Sequence, residues 1–205
     1  MGAVTVGALF SMPSDARGVV VFAHGTGSGR HSPRNNAVAQ VLQGAGLATL
    51  LIDLLSEEEE RIDLRTGSLR FDIGFLAERL DAATRWLVER AEAQSLPVGY
   101  FGASTGAAAA LVAAARHPED VGAVVSRGGR PDMAAEALPE VRAPTLLIVG
   151  GLDTAVLEMN REALEQLRCP KDLRVVPGAS HLFEEPGTLE RVSELAKEWF
   201  VQHLA

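Results

Sequence analysis

Ser104 sits in the pentapeptide Gly102-Ala103-Ser104-Thr105-Gly106, directly after the apolar run Val98 to Phe101 and directly before an alanine-rich stretch. A serine can be thrust out at the end of a strand only if the chain turns sharply there. Glycines two residues away on either side remove the clash, and this is the spacing of a nucleophile elbow. In a chain with 20 glycines the pentapeptide alone proves little. Its weight comes from two residues further on, Asp153 after TLLIVGGL and His181 after VPGAS. A serine hydroxyl is a weak nucleophile at neutral pH, and the imidazole of His181 can take its proton and return it to a leaving group. The carboxylate of Asp153 can hold that imidazole in the right tautomer and balance its charge. Charge developing on a carbonyl oxygen needs prearranged donors, for which the backbone N–H groups of Thr26 and Thr105 are the candidates.

Other residues compete for these roles. His24 directly follows a strand, but in HGTGSG it fits the shaping of the oxyanion turn better than proton transfer. His117 precedes Pro118 at a helix end and reads as a cation at a helix C-terminus, while His203 reads as a surface residue of the last helix. Asp53 also ends a strand, yet it precedes Ser104 in the chain and fits a turn or a pocket wall better than the acid. HGTGSG is no phosphate cradle: neither GxGxxG nor GxxxxGK[ST] is present and no lysine follows. The run Glu57 to Glu60, with Arg61 and Asp63, reads as a solvated loop or helix start and not as a metal site. The segment SEEEERIDLRTG could fold over the site as a mobile flap.

These residues need elements to hold them. Val4 to Phe10 alternates weakly, as an edge strand would; Gly18 to Ala23, Ala48 to Ile52, Val98 to Phe101, Val121 to Val125, Thr145 to Val149 and Leu173 to Val176 are nearly continuous apolar runs. Such runs suit parallel strands covered on both faces. Helical patterns fall at Asn35 to Gln43, Asp72 to Ala93, Thr105 to Ala115, Asp132 to Leu138, Val156 to Leu167 and Thr188 to His203. The alternation predicts an α/β fold: a doubly wound, mostly parallel sheet with helices on both faces. Ligands in that architecture sit beyond the carboxyl ends of the strands, and His24, Ser104, Asp153 and His181 all follow strand ends.

Composition narrows the function classes. The length of 205 residues, 47% hydrophobic and 22% charged, suits one domain over residues 1–205. With 27 acidic against 19 basic side chains and a net charge of -8, no basic cluster is available for nucleic acid. Cys169 stands alone, so neither an intramolecular disulfide nor a thiolate zinc site can form, and it reads as a half-buried small hydrophobe. No window approaches a membrane span and the start lacks a signal-peptide pattern, which makes the cytoplasm the default location. No cofactor is implied, and self-association into a homo-oligomer stays open.

The chain resembles a family, the compact α/β-hydrolases related to dienelactone hydrolases, through FAHGTGSGRHSPRNNAVAQVLQGAGLATLLIDLL, GYFGASTGAAAALVAA, VVSRGGRPD, PTLLIVGGLD and VPGASHLFEEPGTLE. The resemblance covers nearly the whole length, and the order Ser104, Asp153, His181 is the nucleophile, acid, base order of that superfamily. It implies a serine hydrolase acting on esters through those three residues. Dienelactone hydrolases proper carry a cysteine in the elbow, so Ser104 leaves general carboxylesterase activity, and not dienelactone hydrolysis, as the implied function. Thioesters, lactones, amides and peracid formation use the same triad, and a ligand-binding protein without turnover is the competing class.

Residues 126–144, between VGAVV and TLLIV, have room for one short helix and no helical cap. An open, capless site favours short acyl esters over long lipids. Arg127 and Arg130 either face that pocket and select an acidic substrate or pair with loop carbonyls and carboxylates; Arg30 and His31 are placed for its rim.

Overall fold

In the computed structural model, which describes residues 4–204 apart from 91, 92 and 94, the apolar runs pair into a seven-stranded sheet in the order β1-β3-β2-β4-β5-β6-β7. The strands are β1 Ala8–Ser11, β2 Val19–Ala23, β3 Ala48–Ile52, β4 Val98–Ala103, β5 Val121–Arg127, β6 Thr145–Gly150 and β7 Lys171–Val176. All neighbours run parallel except β1, which is antiparallel to β3. The edge strand is shorter than Val4 to Phe10 predicts at its start. Ala8 is already opposite Ile52, the last residue of β3, so earlier residues have no strand to pair with.

Alternation along each strand sends side chains to two cores. Val19, Val21 and Ala23 pack with Leu76, Leu80 and Leu111, whereas Val20 and Phe22 pack with Val38, Leu42 and Phe200. Helices α3 Ile73–Val88, α4 Thr105–Arg116 and α5 Thr154–Gln166 therefore cover one face, and α1 Pro33–Gly44 and α6 Thr188–Leu204 the other. Ala107 to Ala110 are fully buried, and their small side chains let α4 lie close behind the strand that ends in Ser104.

Two more elements depart from expectation, and a third takes one of the two forms expected of it. The helix expected over Asp72 to Ala93 is capped by Asp72, whose carboxylate accepts from the Phe75 N–H at 3.0 Å, and ends at Val88; residues 91 and 92 of that range lie outside the described residues. Asp132 to Leu138 forms two short 3-10 turns, Pro131–Ala134 and Leu138–Glu140, because a segment punctuated by Pro131 and Pro139 is too short to repay helix nucleation. The acidic run opens a ten-residue helix, α2 Glu57–Thr66. Ser56 and Glu59 form a capping box at its start, and Gly67 turns the chain out at φ 66°. Ion pairs of Glu59 with Arg79 and of Asp63 with Arg70 tie α2 to α3 and to the loop before it. No helix among the described residues is long and apolar enough to cross a membrane.

Candidate active site

Ser104 occupies the turn between β4 and α4 at φ 51°, ψ -121°. Such a conformation costs a non-glycine residue about 1–3 kcal/mol and persists only where the surroundings enforce it. Here they do. A Cβ on Gly102 would collide with the backbone of Ala107, and one on Gly106 with the carbonyls of Ala23 and His24, so only glycine permits the close passage of α4 over β2 and β4. The Ser104 N–H donates to the Arg127 carbonyl at 3.2 Å, and the Ser104 carbonyl accepts from the N–H groups of Ala107 at 3.1 Å and Arg130 at 3.2 Å.

Asp153 and His181 meet across the ends of β6 and β7. The His181 Nδ1 lies 2.6 Å from the Asp153 Oδ2. A carboxylate can only accept, so the ring donates its Nδ1–H and keeps the Nε2 lone pair outward. The two loops are locked together: the Leu152 N–H donates to the Ala179 carbonyl at 2.9 Å, and a Cβ on Gly150 would strike Ala179 and Ser180. The Glu185 carboxylate accepts from the Ser180 N–H at 3.0 Å, a bond that also holds its pKa below the ordinary glutamate value. On the other side a Cβ on Gly128, one residue beyond β5, would lie 3.5 Å from the His181 Nδ1, so the chain passes close to the ring there. Among the described residues no hydrogen bond joins the Ser104 hydroxyl to His181.

The turn after β2 faces the elbow. The hydroxyls of Thr26 and Thr105 are 3.2 Å apart, and Thr105, at the first position of α4, has an N–H with no intrahelical acceptor. His24 anchors this turn from beneath: its Nδ1–H donates to the Gly25 carbonyl at 2.9 Å and its Nε2 accepts from the Leu54 N–H at 2.9 Å. Burial pulls the His24 pKa below the ordinary histidine value, against the hydrogen bond to Gly25 and the nearby carboxylates of Asp53 and Glu60. Asp53 accepts from the Arg30 N–H at 2.7 Å and pairs with the Arg30 guanidinium, as its turn reading implied.

A cavity of about 550 Å³ adjoins this turn, lined by His24 to Arg34, by Asp53 to Leu55, and by Glu60, Asp63 and Leu64 of α2, and it meets the elbow at Thr105. His24, Arg30 and His31 thus line it. Arg127 and Arg130 are not among its lining residues, although the Arg127 carbonyl and the Arg130 N–H both bond to the Ser104 backbone. Arg130 forms a two-pronged pair with Asp132 at 2.8 and 2.7 Å, whereas Arg127 is buried beneath the site. The expected absence of a cap holds for residues 126–144, but α2 supplies a wall, so the site is less open than that connection suggested. His117 is the C-cap residue of α4, beside Asp81 at 3.4 Å. His203, expected at the surface, is half-buried against the Trp199 ring at 4.6 Å. Sequence reasoning passed over Arg34, Arg70 and Glu185. Glu185, four residues beyond His181 in ASHLFEE, had the spacing to be noticed; the arginines became visible only once α1 and α2 were placed.

The model of the dienelactone hydrolase family matches residues 6–204. The crystal structure of dienelactone hydrolase from Anabaena variabilis is 63% identical, covers 100% of this chain and 94% of its own, and superposes with a TM-score of 0.97. Est1E from Butyrivibrio proteoclasticus, at 16% identity, shares the fold with a TM-score of 0.81 over 96% of this chain and 93% of that one. Putative phosphoribosyl transferases from two strains of Mycobacterium tuberculosis are 59% identical over 203 residues, 99% of this chain. The chain spans only 45% of their length. An α/β-hydrolase sheet, matched from its edge strand to its last helix, makes this chain a member of the dienelactone hydrolase family.

Proposed function

We propose that the chain is a serine hydrolase, a carboxylesterase that cleaves short-acyl esters through an acyl-enzyme on Ser104. The observation that carries this reading is the strained serine. The glycines serve the packing of α4, but that packing does not ask for a serine at φ 51°, and a serine there adds a hydroxyl at the strand ends where the bonded Asp153–His181 pair also stands.

In this reading His181 Nε2 takes the Ser104 proton as Oγ attacks the ester carbonyl carbon. The oxyanion that forms lies against the Thr26 and Thr105 N–H groups, and Asp153 balances the imidazolium. As the bond to the alcohol oxygen breaks, Nε2–H returns the proton to the leaving alcohol. Water then attacks the acyl-enzyme by the same proton route, giving the free acid and restoring Ser104. A cavity of about 550 Å³ with polar as well as apolar walls suits a small ester rather than a long acyl chain.

The test is initial-rate hydrolysis of nitrophenyl esters graded from acetyl to palmitoyl, with the wild type beside Ser104→Ala. Turnover should be greatest on the short esters and fall by at least about a thousandfold in the variant. Equal rates in the two proteins, or no turnover of any ester by the wild type, would move a ligand-binding role to the front. The phosphoribosyl transferase name belongs to the longer relatives and does not enter this reading.

A further inference from the structure

Arg127 is the last residue of β5. Ala123 and Val125, four and two residues before it, point into the core shared with α1 and α6, so alternation carries Arg127 to that same face, at the end of the sheet where α1 begins. The residue is only 8% exposed, and its guanidinium pairs with no carboxylate among the described residues and finds no acceptor for its buried Nη1. Every other arginine beside the site has an acid: Arg30 has Asp53, Arg70 has Asp63, Arg130 has Asp132. Burial and the neighbouring charge of Arg34 lower the Arg127 pKa to about 10, which still leaves it a cation at neutral pH. A buried charge without a counterion is among the costlier features a fold can keep.

The surroundings share that polarity. Arg34, in the first turn of α1, has a buried Nε with no acceptor, although its outer nitrogen reaches Glu184 at 3.2 Å. The Arg34 N–H has no acceptor among the described residues; Pro33 has no N–H to satisfy, and the Asn35 N–H is capped by the Ser32 hydroxyl at 3.4 Å. A helix start with a free N–H attracts anions. Ser32, Pro33 and Arg34 also line the cavity described above, so the α1 side of this corner opens to it.

We propose that the junction of β5 and α1 binds a small oxyanion, a carboxylate or phosphate group, between the guanidinium of Arg127 and the first turn of α1 with Arg34. The oxyanion supplies the acceptors that Arg127 lacks. Because the Arg127 carbonyl holds the Ser104 N–H, the group would sit one strand end away from the serine. It is either the charged arm of the ester itself or a free anion.

Binding is measured first, because it needs no turnover and so stands or falls apart from the hydrolase reading. Titration calorimetry and thermal melts with inorganic phosphate and with succinate are run on the wild type, Arg127→Met and Arg34→Gln. The expected result is saturable binding and a rising Tm in the wild type, with Kd weaker by about tenfold or more in both variants. Arg127→Met, freed of a buried charge, should melt no lower than the wild type in anion-free buffer; a purely structural arginine would show the opposite. Absence of saturable binding to the wild type, or equal binding by the variants, overturns the proposal. Kinetics then separate the two sources. If the bound group is the substrate's own, Arg127→Met lowers kcat/KM for mono-nitrophenyl succinate far more than for nitrophenyl acetate, and phosphate competes with the succinate ester. If it is a free anion, both esters respond alike.

Discussion

The turns that carry His24 and His181 start from the same sequence situation, a histidine beyond the end of a parallel strand, and end as different chemical objects. The backbone has already claimed both nitrogens of His24, with Gly25 on one side and Leu54 on the other, and the residue is buried. At His181 only Nδ1 is held, by Asp153, and the side chain is 39% exposed. A ring with both nitrogens committed to main chain can fix a turn but cannot exchange a proton without breaking it. A ring held at one nitrogen by a carboxylate is oriented and still has a lone pair to use. Position at a strand end is therefore not what separates a base from a brace; the far nitrogen is.

The sharpest way to break this contrast is to make the same substitution in both turns. His181→Asn should lower kcat for a short nitrophenyl ester by about 10⁵–10⁶-fold, since it removes the only base available to Ser104 in the proposed mechanism. Steady-state kinetics with active-site titration would check it, and a loss of less than a hundredfold would disqualify His181. Asp153→Asn should cost somewhat less, about 10⁴-fold, because the ring stays in place but loses its tautomer and its counterion.

His24→Asn should act on stability instead. It leaves the Leu54 N–H buried without an acceptor, worth about 1–3 kcal/mol, and denaturant melts would read the difference. At a temperature where the variant is folded its kcat should stay within about tenfold of the wild type, because neither ring nitrogen of His24 serves the reaction. A loss comparable to that of His181→Asn would erase the distinction between the turns.

How much of this was legible in the sequence follows from how local each determinant is. Glycines flanking Ser104 act within five residues, and apolar runs ending in polar clusters place the chemistry at strand ends whatever the packing; both could be read directly. His24 could be assigned to the turn but not explained, because Leu54, which completes its hydrogen bonds, is 30 residues away and arrives only when β2 and β3 pair. Charge pairing was least legible. Nothing in SRGGRPD says that Arg130 closes on Asp132 while Arg127, three residues earlier, turns under the sheet and meets no acid. Residues 126–144 were expected to carry no cap and SEEEERIDLRTG to offer a flap; that acidic stretch walls the cavity, but as the helix α2. A run of glutamates looks solvated until Arg70 and Arg79 are seen to hold that helix down.

The smallest effect, and the one that sharpens the comparison most, is in the pH dependence of stability. His24 has a folded pKa below the ordinary histidine value because burial opposes its charge, so the unfolded chain takes up this proton first as pH falls. Stability is then fully present above about pH 6.5 and is lost below it, at a limiting slope of about 1.4 kcal/mol per pH unit for one proton. His203, whose pKa burial also lowers, contributes with the same sign. Asp63, Asp132 and Glu185 have depressed pKa values, so their loss comes in a separate window as pH falls through and below the ordinary carboxylate range. For Asp63, burial works against the charge and the bonds from Arg70 and Leu69 outweigh it. Denaturant melts between pH 8 and pH 5 should therefore show a shallower acid limb for His24→Asn than for the wild type, with the two curves parallel above pH 7. A limb of unchanged slope would mean that His24 protonates in place, and its turn would then be as free to exchange protons as the one that carries His181.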